Sequence, residues 1–308
     1  MELLRYTFKT DTLFKMIFSK YQELLKKLVA VLLGISLDSI EQFEVRNPDI
    51  QPETLGDKFC RLDIAMTVNG QRIVLEIQVE DEKNYPDRSL YYWARDFSVA
   101  LGEGKDYIEL PRTILINILN FNLFGCDEFH SEFQTLEVTR HTPLSDKMSL
   151  QYFELLKIPK EIEKENELLL WLSLFAANTE EDFKRLEALE VPDMEQAIGA
   201  YRSVSATDEF KEIERLRSKA RHDEAAALNQ ATEKERKKWE GIVNKKDAMI
   251  SMKDAMISEK DAALLKKDDV ISEKDAALSK KDAMISEKDF LIAQLQAELA
   301  CLQPQESN

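Results

Sequence analysis

The spacing of apolar residues changes several times along the chain, and each change marks an element. Leu13, Phe14, Ile17, Phe18, Leu24, Leu25, Leu28, Val29 and Leu32 recur near helical spacing. They predict a first helix that starts at Thr10 or Asp11 as N-cap and stops at Gly34. Residues 40–45 read as a strand closed by Asn47-Pro48, and residues 47–57 as a loop. Residues 58–68 and 71–80 alternate around Asn69-Gly70, the strongest short-range signal for a two-residue hairpin turn. With those two residues as the loop, Val68 faces Gln71, Met66 faces Ile73, Asp63 faces Glu76 and Arg61 faces Gln78. Leu62, Ile64, Met66, Val68, Ile73, Leu75 and Ile77 then form one apolar face, while the opposite face becomes charged away from the turn. Residues 87–101 predict a helix with a Leu90, Trp93, Ala94, Phe97, Leu101 stripe, ended by Gly102. Residues 112–119 are a continuous apolar run, as expected of a strand buried on both faces. Two further strands are expected around 132–139 and 148–156. The order helix, strand, hairpin, helix, buried strand predicts an α/β domain, a mixed sheet flanked by helices.

Beyond Lys160 the pattern is helical throughout, with segments at 161–177, 179–190, 193–203 and 207–240. The stretch 215–221 is mildly basic, but acids interleaved along the same helix make a solvated face the better reading. From Lys246 the chain repeats every seven residues: KDAMISM, KDAMISE, KDAALLK, KDDVISE, KDAALSK, KDAMISE, KDFLIAQ. This predicts one long helix over 246–300, about 80 Å at 1.5 Å per residue. A strict seven-residue period favours a left-handed supercoil. The fifth position is always Ile or Leu, yet the position completing an a/d seam is Lys or Asp. Two readings stay open, a weak coiled coil that makes a homo-oligomer and a solitary charged or partly disordered helix. The expected organisation is a domain over 1–160, a helical extension over 161–244, the heptad helix over 245–302 and a disordered end over 303–308.

Composition narrows the classes. Apolar residues make up 44% of the 308 residues, ample for a core, and Gly and Pro number only eight each. Three scattered cysteines, Cys60, Cys126 and Cys301, give neither a disulfide framework nor a CxxC zinc site, which suits a reducing compartment. With no membrane-length apolar run and no signal-peptide pattern at the N-terminus, a cytoplasmic protein is expected. The net charge of −16, with no long segment basic, argues against general coating of nucleic acid. Any DNA contact must use a local patch and a metal.

The hairpin carries the candidate chemistry. Two carboxylates opposed across a strand pair repel, so Asp63 and Glu76 call for an offsetting charge. Asp63, Glu76 and Gln78 supply hard oxygen donors suited to Mg²⁺ or Mn²⁺, with the Ile77 carbonyl as a further ligand. The plain alternative is a surface hairpin whose acids are partly neutralised by Arg61. Arg88, Tyr92 and Arg95 would line a groove or form a solvated face, and Asp11 reads locally as a helix cap.

As a set, five segments are more specific: TDTLFKMIF (10–18), DKFCRLDI (57–64), VLEIQVE (74–80), RSLYYWARDFS (88–98) and TILINILNFNLF (113–124). Together they resemble the recombination-promoting nuclease and transposase family of the PD-(D/E)xK nuclease superfamily, over residues 5 to about 235. The resemblance implies a restriction-endonuclease-like fold and metal-dependent DNA cleavage. It implies that Asp63 and Glu76 hold the metal and that Gln78 stands where the wider superfamily has Lys. Gln brings no positive charge to a developing oxyanion, and can only orient water or phosphate. In the family's D-x-x-F-K segment Asp11 is implied as an additional acid or as the cap of the first helix, and Lys15 and Lys58 as phosphate contacts; Arg61 and Arg88 are further candidates for DNA contact. The alternatives of another class are a catalytically weak DNA-binding or assembly protein on the same fold, and an RNA-directed or regulatory nuclease.

Overall fold

The computed structural model describes residues 2–50, 60–102 and 104–302. The chain divides into two compact units, Met1–Ala220 and Arg221–Asn308. The first holds a six-stranded mixed sheet flanked by helices. Its strands are β1 (Phe43–Arg46), β4 (Ile64–Val68), β5 (Gln71–Gln78), β6 (Thr113–Leu119), β8 (Pro143–Glu154) and β7 (His130–Leu136), in that spatial order. The pairs β1/β4, β4/β5 and β7/β8 are antiparallel, and β5/β6 and β6/β8 are parallel. A separate two-stranded ladder joins β2 (Asp49–Ile50) to β3 (Cys60–Arg61). The expected loop over 47–57 therefore contains a short strand at its start, its remainder from 51 lying outside the described residues, and the described part of the expected strand over 58–68 is two strands with a break between them.

Both faces of the sheet are covered. On one, Met66, Ile73, Leu75, Ile77, Ile116 and Phe153 pack with helices α1 (Asp11–Lys20), α2 (Gln22–Leu33), α4 (Glu167–Ala176) and α6 (Pro192–Ser205). On the other, Ala65, Val74, Leu115 and Tyr152 pack around Tyr85 of α3 (Tyr85–Ser98). All seven residues of β6 are buried, as its unbroken apolar run predicts. The second face of the hairpin is thus not simply charged, because its Ala65 and Val74 form a second core.

The single N-terminal helix expected from the pattern is two. Tyr21 leaves helical geometry (φ −112°, ψ 68°) in the gap between Phe18 and Leu24, where no aliphatic residue recurs. The predicted stop holds, with Gly34 closing α2 in the left-handed region at φ 66°. The first extension helix starts later than expected, at Glu167, where the Asn166 side chain caps Leu169 N–H at 3.1 Å. A capping box of Thr179 and Asp182 opens α5 (Glu180–Glu187). The segments read as 207–240 and 246–300 form one helix, α7 (Asp208–Leu302). Phe210 in its first turn is fully buried and meets the Tyr6 ring edge-on at 4.8 Å.

α3 turns a different face inward from the one its apolar stripe suggests. Leu90 is 46% exposed, while Tyr85, Ser89 and Asp96 are fully buried. The Ser89 hydroxyl bonds the Tyr152 hydroxyl at 2.6 Å, and Trp93 donates to the Thr113 carbonyl at 2.9 Å. Asp96 receives Arg46 from β1 at 2.9 and 3.0 Å and Arg72 from β5 at 3.1 Å. Polar pairing adds to the packing of Tyr85, Tyr92 and Trp93 in fixing this helix on the sheet. No helix among the described residues is long and apolar enough to cross a membrane.

Candidate active site

The turn sets the register. Asn69 and Gly70 sit at φ 47° and 77°, the left-handed values a type I′ hairpin needs at both central positions. The Asn69 side chain also accepts from Glu41 and Gln42 N–H and donates to the Ser39 carbonyl, which ties the turn to the segment leading into β1. Pairing then runs as expected from Val68↔Gln71 to Ile64↔Leu75.

At the next pair the ladder changes character. Asp63 N–H donates to Glu76 Oε1 at 2.9 Å, and Ile77 N–H donates to Asp63 Oδ2 at 2.9 Å. Each acid accepts the other strand's amide in place of a main-chain carbonyl. This brings Asp63 and Glu76 together, as the turn arithmetic predicts, and it also ends the strand. Leu62 N–H turns away to the Pro48 carbonyl at 3.0 Å. Arg61 therefore does not face Gln78. It pairs with Asp49 in the small ladder and meets that carboxylate at 3.4 Å.

One oxygen of each acid is left for other partners. Asp63 Oδ1 lies 2.8 Å from Lys15 Nζ, which also meets Asp11 Oδ1 at 2.6 Å. Among the described residues, Glu76 Oε2 has a long 3.4 Å contact from the Gln78 side-chain amide. The Gln78 carbonyl accepts from Arg88 Nη2 at 2.6 Å. Arg88 is steadied by Glu82 at 2.5 Å and lies 4.8 Å over the Tyr85 ring. Tyr85 in turn donates to Asn117 Oδ1 at 2.7 Å from beneath the sheet. A guanidinium thus stands beside Gln78, on the side where the side chain itself has no charge.

The electrostatics leave the acids short of positive charge. Burial, then the Asp63 carboxylate, push the Glu76 carboxyl well above its usual range. Burial also raises Asp63, and the Lys15 ammonium and the Ile77 amide offset that only in part. Burial opposes the charge on Asp11 too, but Lys15 and Arg217 outweigh it and hold that carboxyl low. Lys15, drawn down by burial, is raised on balance by Asp63 and Asp11.

A divalent cation suits this imbalance and these donors. The two oxygens not engaged by backbone amides belong to carboxylates, a hard-ligand set of the kind Mg²⁺ takes when water completes its shell. No group of three or more His, Cys, Asp or Glu disposed to hold a metal occurs among the described residues.

Of the residues singled out from sequence, Asp11, Lys15, Asp63, Glu76, Gln78 and Arg88 converge here. Ile77 contributes its amide, and its side chain is buried in the core as expected. Arg61 lies with Asp49 instead, and Lys58 is outside the described residues. Asp11 is not the helix cap, since Thr10 holds that position and Asp11 stands in the first turn. Sequence reasoning missed Arg217, which pairs with the other Asp11 oxygen, and the buried Glu214, which accepts the Thr12 hydroxyl. Their only local signal is i, i+3 spacing on one helix face.

Neither curated proteins nor solved structures gave a match. The family of PD-(D/E)XK nuclease family transposases matches residues 8–231, which include every residue of the cluster. That family associates the chain with nuclease-type hydrolysis and with mobile elements. By a match over most of its length, the chain belongs to the PD-(D/E)XK nuclease family transposases.

Proposed function

We propose that this protein is a Mg²⁺- or Mn²⁺-dependent DNA endonuclease of a recombination or mobile-element type. The observation that carries the reading is the interlocked hold on Asp63 and Glu76. Buried Glu76 accepts the Asp63 amide and half-buried Asp63 accepts the Ile77 amide, with Lys15 beside Asp63 and Arg88 on the neighbouring Gln78. Asp63, Glu76 and the Ile77 carbonyl would hold the cation. When bound, the metal would polarise a phosphodiester oxygen and lower the pKa of a water that attacks it. Lys15 and Arg88 would neutralise the phosphate's charge as it grows. Gln78, oriented by Arg88, would position water or phosphate. Asp11 would keep the Lys15 ammonium in place. DNA would be drawn by this local set of cations, since the chain as a whole carries −16.

The test is nicking of supercoiled plasmid with and without magnesium. Asp63→Ala should cut at least about 100-fold more slowly than wild type, the scale of losing a large part of a metal-held charge stabilisation. Undiminished magnesium-dependent cleavage by Asp63→Ala would sink the reading.

A second reading has one observation in its favour. The Gln78 side chain, in the superfamily's lysine position, has its carbonyl already held by Arg88. On this reading the protein binds DNA and cleaves weakly or not at all, and the heptad helix is its working part. Calorimetry showing no magnesium binding, with DNA binding retained, would favour it.

The same proposal extends to the heptad helix as an oligomerisation element. Ile250, Ile257, Leu264, Ile271, Leu278, Ile285 and Ile292 are all exposed along it. Light scattering should show concentration-dependent association of the full chain that is lost on truncation after residue 245. A monomer from both proteins would exclude that role.

A further inference from the structure

A chain of alternating charge runs from the acids to the root of α7. Asp63 meets Lys15 at 2.8 Å, Lys15 meets Asp11 at 2.6 Å, and Arg217 holds the second Asp11 oxygen. Three residues before Arg217 in α7, Glu214 accepts the hydroxyl of Thr12. Thr12 and Glu214 are both buried, at 4% and 6% exposure. Two adjacent residues of the first turn of α1 are therefore gripped by one face of α7, whose own first turn is seated by buried Phe210.

The arrangement answers a physical need. A lysine ammonium rides on four flexible carbons and has no fixed direction of its own. Lys15 is held near Asp63 only if Asp11, one helical turn before it, is held too. Asp11 is partly exposed, so its rotamer is not fixed by packing. Arg217 supplies the missing constraint with a guanidinium. Glu214 fixes the backbone of the same turn through Thr12.

We propose that Arg217 and Glu214 are positioning residues for the phosphodiester chemistry, acting through Asp11 and Thr12 to keep Lys15 at Asp63. This rests on the nuclease reading of the site. The two residues touch no reacting group themselves.

The experiment compares Arg217→Met, Arg217→Lys and the control Arg215→Met, whose side chain pairs, among the described residues, with the exposed Glu212 on the same helix. Two readouts are taken on the full-length protein. The first is acylation of Lys15 by an amine reagent, followed by mass spectrometry. Arg217→Met should raise Lys15 labelling several-fold, Arg217→Lys should restore most of the protection, and Arg215→Met should change nothing. The second is plasmid nicking. Arg217→Met should lower kcat by roughly 10-fold with KM little changed, within the range that a displacement of about 1 Å of a reacting group can produce. The loss should vanish in an Asp11→Asn background, because the two residues act in series. Unchanged Lys15 labelling in Arg217→Met, or a full additional loss in the Asp11→Asn background, would overturn the inference. If wild type neither cleaves nor binds Mn²⁺, the nuclease reading fails while labelling still decides whether Arg217 holds Lys15.

Discussion

Glu76→Gln is expected to abolish cleavage and, at the same time, to raise the melting temperature of the metal-free protein. The two effects have one origin. Glu76 is buried and faces another carboxylate, so its charged form is costly until a cation arrives. Gln keeps an oxygen that can accept the Asp63 amide, which Glu76 Oε1 now does at 2.9 Å. It removes the charge that would hold the metal. Cleavage should fall by about 10³-fold or more, the factor that a loss of roughly 4 kcal/mol of transition-state stabilisation brings. Stability should rise by about 0.5–2 kcal/mol, as when other strained functional residues are replaced.

The sign of the pH dependence follows from linkage. The folded protein holds the Glu76 proton more tightly than the unfolded chain, whose glutamates titrate near about 4.3. Wild type therefore loses stability as pH rises from that value through the raised folded one, and the loss then levels off. The advantage of Glu76→Gln should be absent in acid and fully present above the folded value. Thermal melts in chelator across pH 4 to 9, next to a nicking assay, measure both. A variant that still cleaves, or one that melts below wild type at neutral pH, would show that Glu76 is a structural acid instead.

Much of this site is legible in sequence, because a two-residue turn fixes register and register fixes which side chains meet. Asn69-Gly70 puts Asp63 beside Glu76 with no other information. What the turn cannot reveal is that the acids themselves end the ladder. Strand length was read from alternation, and alternation continues through Leu62 and Arg61 although the backbone has already turned to β2. The contributions of α3 and α7 are hidden for another reason. Apolar periodicity reports burial by hydrophobic packing, whereas Ser89 and Asp96 are buried by polar partners. Arg217 meets Asp11 across nearly the whole first unit, and nothing near position 217 marks it as different from Arg215. The family resemblance suggests roles for Asp63, Glu76 and Asp11. It does not point to Arg88 as the cation beside Gln78, or to α7 as a support for α1.

Asp96→Ala should be the most destabilising single change in the first unit outside its apolar core. Asp96 is fully buried and accepts guanidinium hydrogen bonds from both Arg46 and Arg72. Burial alone would raise its carboxyl, but the two arginines outweigh that and hold it below its usual range. Removing the acid leaves two cations facing each other in a half-dry pocket, and breaking a buried ion pair in this way costs about 3–5 kcal/mol. The cost should fall on acidification. The folded pKa of Asp96 is depressed, so its contribution is complete above the unfolded value near about 3.9 and is lost as pH falls through the folded one. Urea melts of wild type and Asp96→Ala should accordingly converge in strong acid. The triple variant Arg46→Met, Arg72→Met, Asp96→Leu separates unpaired charge from lost packing. If stranded guanidinium charge is the cause, the triple variant should recover most of the loss, because apolar groups of similar size commonly replace buried ion clusters without penalty. Arg72 lies on the strand that bears Glu76, and α3 carries both Asp96 and Arg88. Cleavage by Asp96→Ala should therefore drop even under conditions where it stays folded, since α3 no longer holds Arg88 against Gln78. Full activity in a folded Asp96→Ala protein would mean that Tyr85, Ser89 and Trp93 alone are enough to place that helix.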